Sequence, residues 1–152
     1  MSSTSNTNTA PKRLVDDDTP AAVSRALVTL INTCETKPDI CTMEFLTEDS
    51  GLALSVIQSP YVIEQDILGG YLAQYDFDLV YRVIPATDSQ RLQADETLDA
   101  LVTWLVQHIS NISLTSVTIT KIDRTGLSAL MSRYENGAED HVASLSLFYE
   151  RN

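Results

Sequence analysis

Asp76 and Asp78 stand two residues apart in the run YLAQYDFDLVYRVIP. Two carboxylates on one face of an extended segment are where acid–base chemistry or a hard metal ion would first be sought. Side chains in extended chain alternate sides, so these two point the same way, about 6.6 Å apart along the strand. Either task needs further ligands, and Glu64 and Asp66 are the nearby acids in sequence. A solvated or interface face is the simpler reading of such a pair. His108 and His141 fall in no HExxH or zinc spacing and beside no evident nucleophile, so both read as surface or edge-of-core residues. Cys34 and Cys41, with six residues between them, match neither a CxxC redox pair nor a zinc knuckle and read as reduced, partly buried thiols. A Cys34–His141 dyad has nothing but residue type behind it. The phosphate-cradling GxGxxG and GxxxxGK[ST] patterns and the GxSxG nucleophile turn are absent from the sequence. The expectation is therefore a protein that is not an enzyme and holds neither cofactor nor metal.

Charge narrows the partners. Ten basic and 21 acidic side chains leave −11 over 152 residues, and the first 18 hold two of the bases and three of the acids, so −10 belongs to the remainder. Binding nucleic acid by neutralising phosphates needs clustered Lys and Arg, and this balance argues against it. An acidic wall that DNA slides past is compatible with it, as is plain solubility. MSSTSNTNTAPKR has no apolar leader, and no run approaches the ~18 apolar residues of a membrane span, so the expected setting is the cytosol, with no membrane partner.

The elements that must position these residues follow from period and punctuation. Residues 1–18 are too poor in apolar groups to offset the entropy of ordering and are predicted to form a flexible, disordered arm, with Asp16–Asp18 as a solvated run ahead of a helix. Thr19 and Pro20 suit an N-cap and first helical position, and Val23, Leu27, Leu30 and Ile31 extend a helix to about Cys34. Met43–Leu46 and Leu52–Gln58 suggest a hairpin around EDSG, closed by Pro60. Tyr61–Leu68 continues extended, Gly69-Gly70 allows a turn, and Tyr71 to Val83 alternates as one long strand ended by Pro85. Asp88 or Ser89 caps a second helix with Leu98, Leu101, Val102, Leu105 and Ile109 as its buried stripe and Trp104 on its flank. Leu114–Ile122 and His141–Glu150 read as two more strands, joined by the long connector GLSALMSRYENG. The fold class is α+β: one domain over 19–152, mainly antiparallel sheet packed by two helices.

This order of helix, hairpin, long strand, helix and two strands resembles the tail terminator and tail completion proteins of long-tailed phages, some of which carry a minor capsid label. The segments SPYVIEQDILGGYLAQYDFDLVYR, LVTWLVQ and HVASLSLFYER carry the likeness over about residues 20–152. It implies a ring subunit, most often of a homohexamer, that caps the tail tube, ends its elongation and presents a surface for joining the head. The implied partners are the major tail tube protein and the head–tail connector proteins, with DNA passing through the lumen unbound. The implied location is the tail neck of the virion, after assembly in host cytoplasm. Contacts between subunits or with the tube would fall on Glu48 and Asp49 of the hairpin, on Tyr71, Asp76 and Asp78 of the long strand, and on Leu127, Leu130, Met131 and Tyr134 of the connector. Two other readings remain open: a head-completion or connector protein of the same neck, and a small acidic ligand-binding domain or enzyme built on Asp76, Asp78 and a pocket under the connector.

Overall fold

The computed structural model describes residues 19–44, 46, 48–58, 62–65 and 67–151. The predicted arm 1–18 with its aspartate run, the strand-ending Pro60 and the candidate ligand Asp66 lie outside the described residues. Two helices, α1 (Pro20–Ile31) and α2 (Asp88–His108), accompany seven strands: β1 (Cys41–Met43), β2 (Gly51–Val56), β3 (Val62–Gln65), β4 (Tyr71–Val83), β5 (Thr118–Arg124), β6 (Ala129–Arg133) and β7 (Glu139–Arg151). All seven join one sheet ordered β1-β2-β4-β7-β5, with β3 extending the β2 side of β4 and β6 extending the β5 side of β7. The class is α+β, and the sheet is antiparallel except at β1.

The thirteen residues of β4 pair with the thirteen of β7 along their whole length, from Tyr71 opposite Arg151 to Val83 opposite Glu139. Period-two alternation then divides the sheet into two faces. Odd-numbered Ala73, Tyr75, Phe77 and Leu79 of β4 and Ala143, Leu145, Leu147 and Tyr149 of β7 are buried beneath both helices. Even-numbered residues form the open face. Tyr75 reaches across the core to share a hydrogen bond with Ser24 of α1. Burial pushes its phenol up to about 12, against the lowering effect of that bond.

Local chemistry explains the helix ends. Thr19 Oγ1 accepts the Ala22 amide at 3.2 Å, and Pro20 opens α1 with its fixed φ. The helix stops at Ile31 rather than Cys34, because Asn32 turns its side-chain amide to the backbone of Cys41, accepting its N–H at 2.8 Å and donating to its C=O at 3.1 Å. Thr87, one residue before the predicted cap, starts α2: its Oγ1 accepts from the Gln90 amide at 3.2 Å, and Gln90 Oε1 accepts from the Ala86 amide at 2.7 Å. The predicted stripe is buried as far as Leu105; Ile109 falls in the short 3₁₀ turn Ile109–Asn111 and is half-buried.

Three expectations need correction. The segments around EDSG are not a hairpin: β1 runs parallel to β2, Cys41 opposite Leu52 and Met43 opposite Leu54. With β1 only three residues long, the chain must return only about 10 Å, which residues 44–50 span easily, and Glu44 takes a left-handed φ of 64° where the return begins. The strand predicted from Leu114 starts at Thr118 instead. The long connector is not a loop: it holds β6, and the turn after it is a hairpin in which Gly137, at φ 88°, donates to Tyr134 O at 3.0 Å. Ala, Leu and Met made that stretch look unlike a strand locally, and pairing to β7 overrides the preference.

Emptying the centre of the core by Phe77→Ala is expected to cost about 3–5 kcal/mol, and Thr87→Ala about 1 kcal/mol. Both are read as a lower urea midpoint at unchanged slope; a loss for Phe77→Ala no larger than for Thr87→Ala would contradict this packing.

Candidate functional site

Asp76 and Asp78 lie on the open face of β4, opposite Ser146 and Ser144 of β7. Each serine hydroxyl donates to the carboxylate across from it, and Gln74 Nε2 also donates to Asp76 at 2.9 Å. The two acids thus belong to a ladder of cross-strand hydrogen bonds in the middle of the face, the arrangement expected where a polar row is held flat between strands. Glu64, the other candidate ligand within the described residues, is on β3 opposite Leu72 and so on the same face. Among the described residues no group of three or more His, Cys, Asp or Glu is placed to hold a metal ion.

At the β6–β7 end of that face, Arg82 gathers four groups. Its Nε and Nη2 donate to the two oxygens of Asp140 at 2.7 and 3.0 Å, its Nη1 to Leu46 O at 3.0 Å and Glu48 O at 3.4 Å, and its guanidinium lies 4.7 Å from the centre of the Tyr134 ring. Tyr134 in turn donates its hydroxyl to Asp140 at 2.7 Å, and Asn136 donates to Asp49 at 2.8 Å. Burial would raise the Asp140 carboxyl, but the bonds from Arg82 and Tyr134 outweigh it and hold it below the usual range. The arrangement is a clamp: the β1–β2 link and the β6–β7 turn are tied to each other over the sheet. Three predicted contact residues, Glu48, Asp49 and Tyr134, therefore share one corner.

The helix side of the same end holds a second cluster that sequence reading missed. His141 is fully buried, with Nδ1 2.7 Å from Asp95 Oδ1 of α2 and Nε2 3.2 Å from Glu139 Oε1. Arg91 grips both Glu139 oxygens at 2.8 and 2.9 Å, and Arg133 of β6 adds a bond at 3.1 Å. With Arg91 first, then His141 and Arg133, these donors hold the Glu139 carboxyl down at about 2 against the opposing effect of burial. The cluster ties α2 to the start of β7. Its signal was present as Glu139 and His141 two apart on a strand and Arg91 and Asp95 four apart on a helix, each pair sharing a face. Cys34 and His141 form no dyad: Cys34 contacts Thr36 Oγ1 at 3.4 Å, and both cysteines are free and fully buried. Burial pushes the Cys41 thiol up to about 12, the behaviour of an inert core residue. His108 stacks on Trp104, ring centres 4.4 Å apart, on the flank of α2.

Exposed apolar groups complete the surface. Ile67 and Leu68, at the turn between β3 and β4, are 101% and 91% exposed. On the opposite edge, Leu127 in the β5–β6 link and Met131 on β6 are 81% and 68% exposed, with Leu130 and Tyr134 less so. Tyr71 is half-buried against the core at the start of β4, directly after the turn that carries Ile67 and Leu68. The structure thus brings Glu48, Asp49 and Tyr134 together, strings Leu127, Leu130 and Met131 along one edge, and leaves Asp76 and Asp78 at the centre of the open face. Ile67–Leu68 was not singled out in sequence, although an apolar pair directly before Gly69-Gly70 marks a turn tip. An open groove of about 410 Å³ also runs between α1 and β1–β2, lined in part by Ser24, Val28, Met43 and Val56.

A comparison with protein-family models finds none that matches the chain, and a comparison with curated proteins finds no match either. None of the described helices is long and apolar enough to cross a membrane.

A carboxyl whose folded-state pKa is depressed stabilises the fold above its unfolded pKa, and that stabilisation is lost as pH falls through the folded value. For Glu139 the window runs from about 4.5 down to about 2. Acid titration of stability is expected to show a steep decline over that range, and Glu139→Gln to be less stable at neutral pH with a shallower acid decline. An unchanged slope in the variant would show that Glu139 is not the group responsible.

Proposed function

We propose that this chain is a structural subunit of a phage tail neck, forming a ring that caps the tail tube, ends its elongation and offers the surface to which the head is joined. The observation that carries this reading is the pair of exposed apolar patches on opposite edges of one sheet, Ile67 and Leu68 against Leu127 and Met131. A lone exposed leucine needs no explanation, but large apolar side chains left mostly in water at both edges of one sheet suit a subunit with a neighbour on each side. The excess of acid over base supports a lumen that repels phosphate, so DNA would pass without being held. The likeness of the segments SPYVIEQDILGGYLAQYDFDLVYR, LVTWLVQ and HVASLSLFYER supports the tail-terminator class in particular. Capping acts here by shape and contact: a ring seated on the last tube layer covers the surface to which another tube subunit would add.

Electron microscopy of the purified protein, alone and mixed with tail tubes, together with its solution mass, tests this. Rings, free or at tube ends, are the expected outcome; a compact monomer that ignores tube ends would sink the proposal. Leu127→Asp with Met131→Asp is expected to abolish rings at tube ends while leaving the unfolding free energy of the monomer within about 0.5 kcal/mol of the parent. Normal capping by that double variant would remove the β6 edge from the account.

A further inference from the structure

The two outer edges of the sheet differ in charge. Lys121, Arg124 and Arg133 lie on β5 and β6, with Asp123 the one acid on those two strands. The opposite edge, from the β1–β2 link through β3, carries Glu44, Glu48, Asp49 and Glu64 and neither Lys nor Arg among the described residues. Strand direction is the second observation. β3, β4, β7 and β5 alternate strictly across the sheet, each antiparallel to the next. Copies related by rotation about an axis along the strands therefore bring β3 of one against β5 of the next in opposite directions, which is the direction an antiparallel ladder requires. No strand pairs the outer side of β3 or of β5 among the described residues.

Face and level agree as well. Glu64 lies opposite Leu72 and Lys121 opposite Phe148, so both are on the open face, where the Lys121 ammonium sits 4.8 Å from the Phe148 ring centre and 3.0 Å from Asp123 Oδ2, still exposed enough to take a second carboxylate. Phe148 pairs with Gln74, two residues along β4 from Leu72, so a stagger of two residues sets Glu64 beside Lys121. A closed sheet needs such a stagger at its joins. The same shift carries Ile67 and Leu68 to the start of β5, next to Thr118 and the half-buried Val117.

We propose that β3 of one subunit adds antiparallel to β5 of a second copy of this chain, Glu64 facing Lys121, so that the sheet continues from subunit to subunit. The interface is head-to-tail, using two different edges, and therefore builds a ring rather than a twofold dimer. It rests on the ring reading above and specifies how that ring is joined. Backbone hydrogen bonds along the joined edges supply affinity, the charge pair sets register, and Ile67 and Leu68 lose their exposure to water.

The test is disulfide cross-linking under mild oxidant of the full chain, in the state that assembles, with Glu64→Cys and Lys121→Cys made singly and together. Both positions are exposed, and Cys34 and Cys41 are buried and stay out of the readout. The expected result is no cross-link in either single variant, a dimer band when the two are mixed, and in the double variant a ladder ending at the ring's own stoichiometry. Self-cross-linking of Glu64→Cys alone would show a twofold contact and overturn the proposal. Rings visible by microscopy with no cross-link in the double variant would overturn this interface and leave the ring standing. A monomer even at tube ends would overturn the ring reading and this interface with it.

Discussion

The antiparallel pairing of β4 with β7 is the constraint on which everything else depends. Thirteen consecutive residues on each strand are in register, so a slip of one position would turn Phe77, Leu79, Leu145 and Leu147 outward and drive Asp76, Asp78, Ser144 and Ser146 under the helices. Both helices need the odd-numbered face apolar, and the hydrogen-bond ladder of the open face needs the even-numbered residues opposite each other. The outer strands are subordinate: β2 and β3 share one side of β4, with β1 beyond β2, and β5 and β6 share the far side of β7. Five short strands suffice because the two long ones already fix direction and level.

Charge is concentrated at one end of that pairing, and the alternation of side chains explains how. Glu139, Asp140 and His141 are consecutive, yet Glu139 and His141 face α2 while Asp140 faces the clamp built on Arg82. Two networks on opposite sides of the sheet are therefore rooted in three adjacent residues. A buried carboxylate with two guanidinium partners is costly to leave half-paired, so these groups fix geometry more than they add net stability. They hold α2, the β1–β2 link and the β6–β7 turn at defined positions, and with them the exposed groups at either edge.

The sequence disclosed the parts of the fold that repeat. β4 was legible to the residue because its alternation is unbroken from Tyr71 to Val83, and α2 because its leucines recur at helical spacing; both are signals local to one element. What failed was relational. Nothing within CTM or GLALSV states whether two short strands run parallel, since that depends on where the intervening residues can go. Nothing within ALMSR states that it is a strand, since its pairing partner begins only at Glu139, although the Asn136-Gly137 pair was a hairpin signal in plain view. The same distinction holds for the site residues. Exposed candidates on the connector were found from their apolar character, whereas the Arg82 clamp and the His141 cluster join residues up to 87 positions apart and are assembled only by tertiary structure.

The position of β7 in the chain also sets the order in which the molecule can be made. It is one of the two central strands of the sheet, yet both helices and the other six strands precede it, so the ribosome delivers it after all of them. Until β7 emerges, β5 and β6 have no strand to pair with, α2 has half its apolar bed missing, and the charged groups of both clusters lack their anchor. Contacts between residues far apart in sequence form slowly because the chain entropy of closing long loops comes before their reward. The nascent chain therefore cannot complete its core before β7 is made, and the β5–β6 edge takes its shape only then.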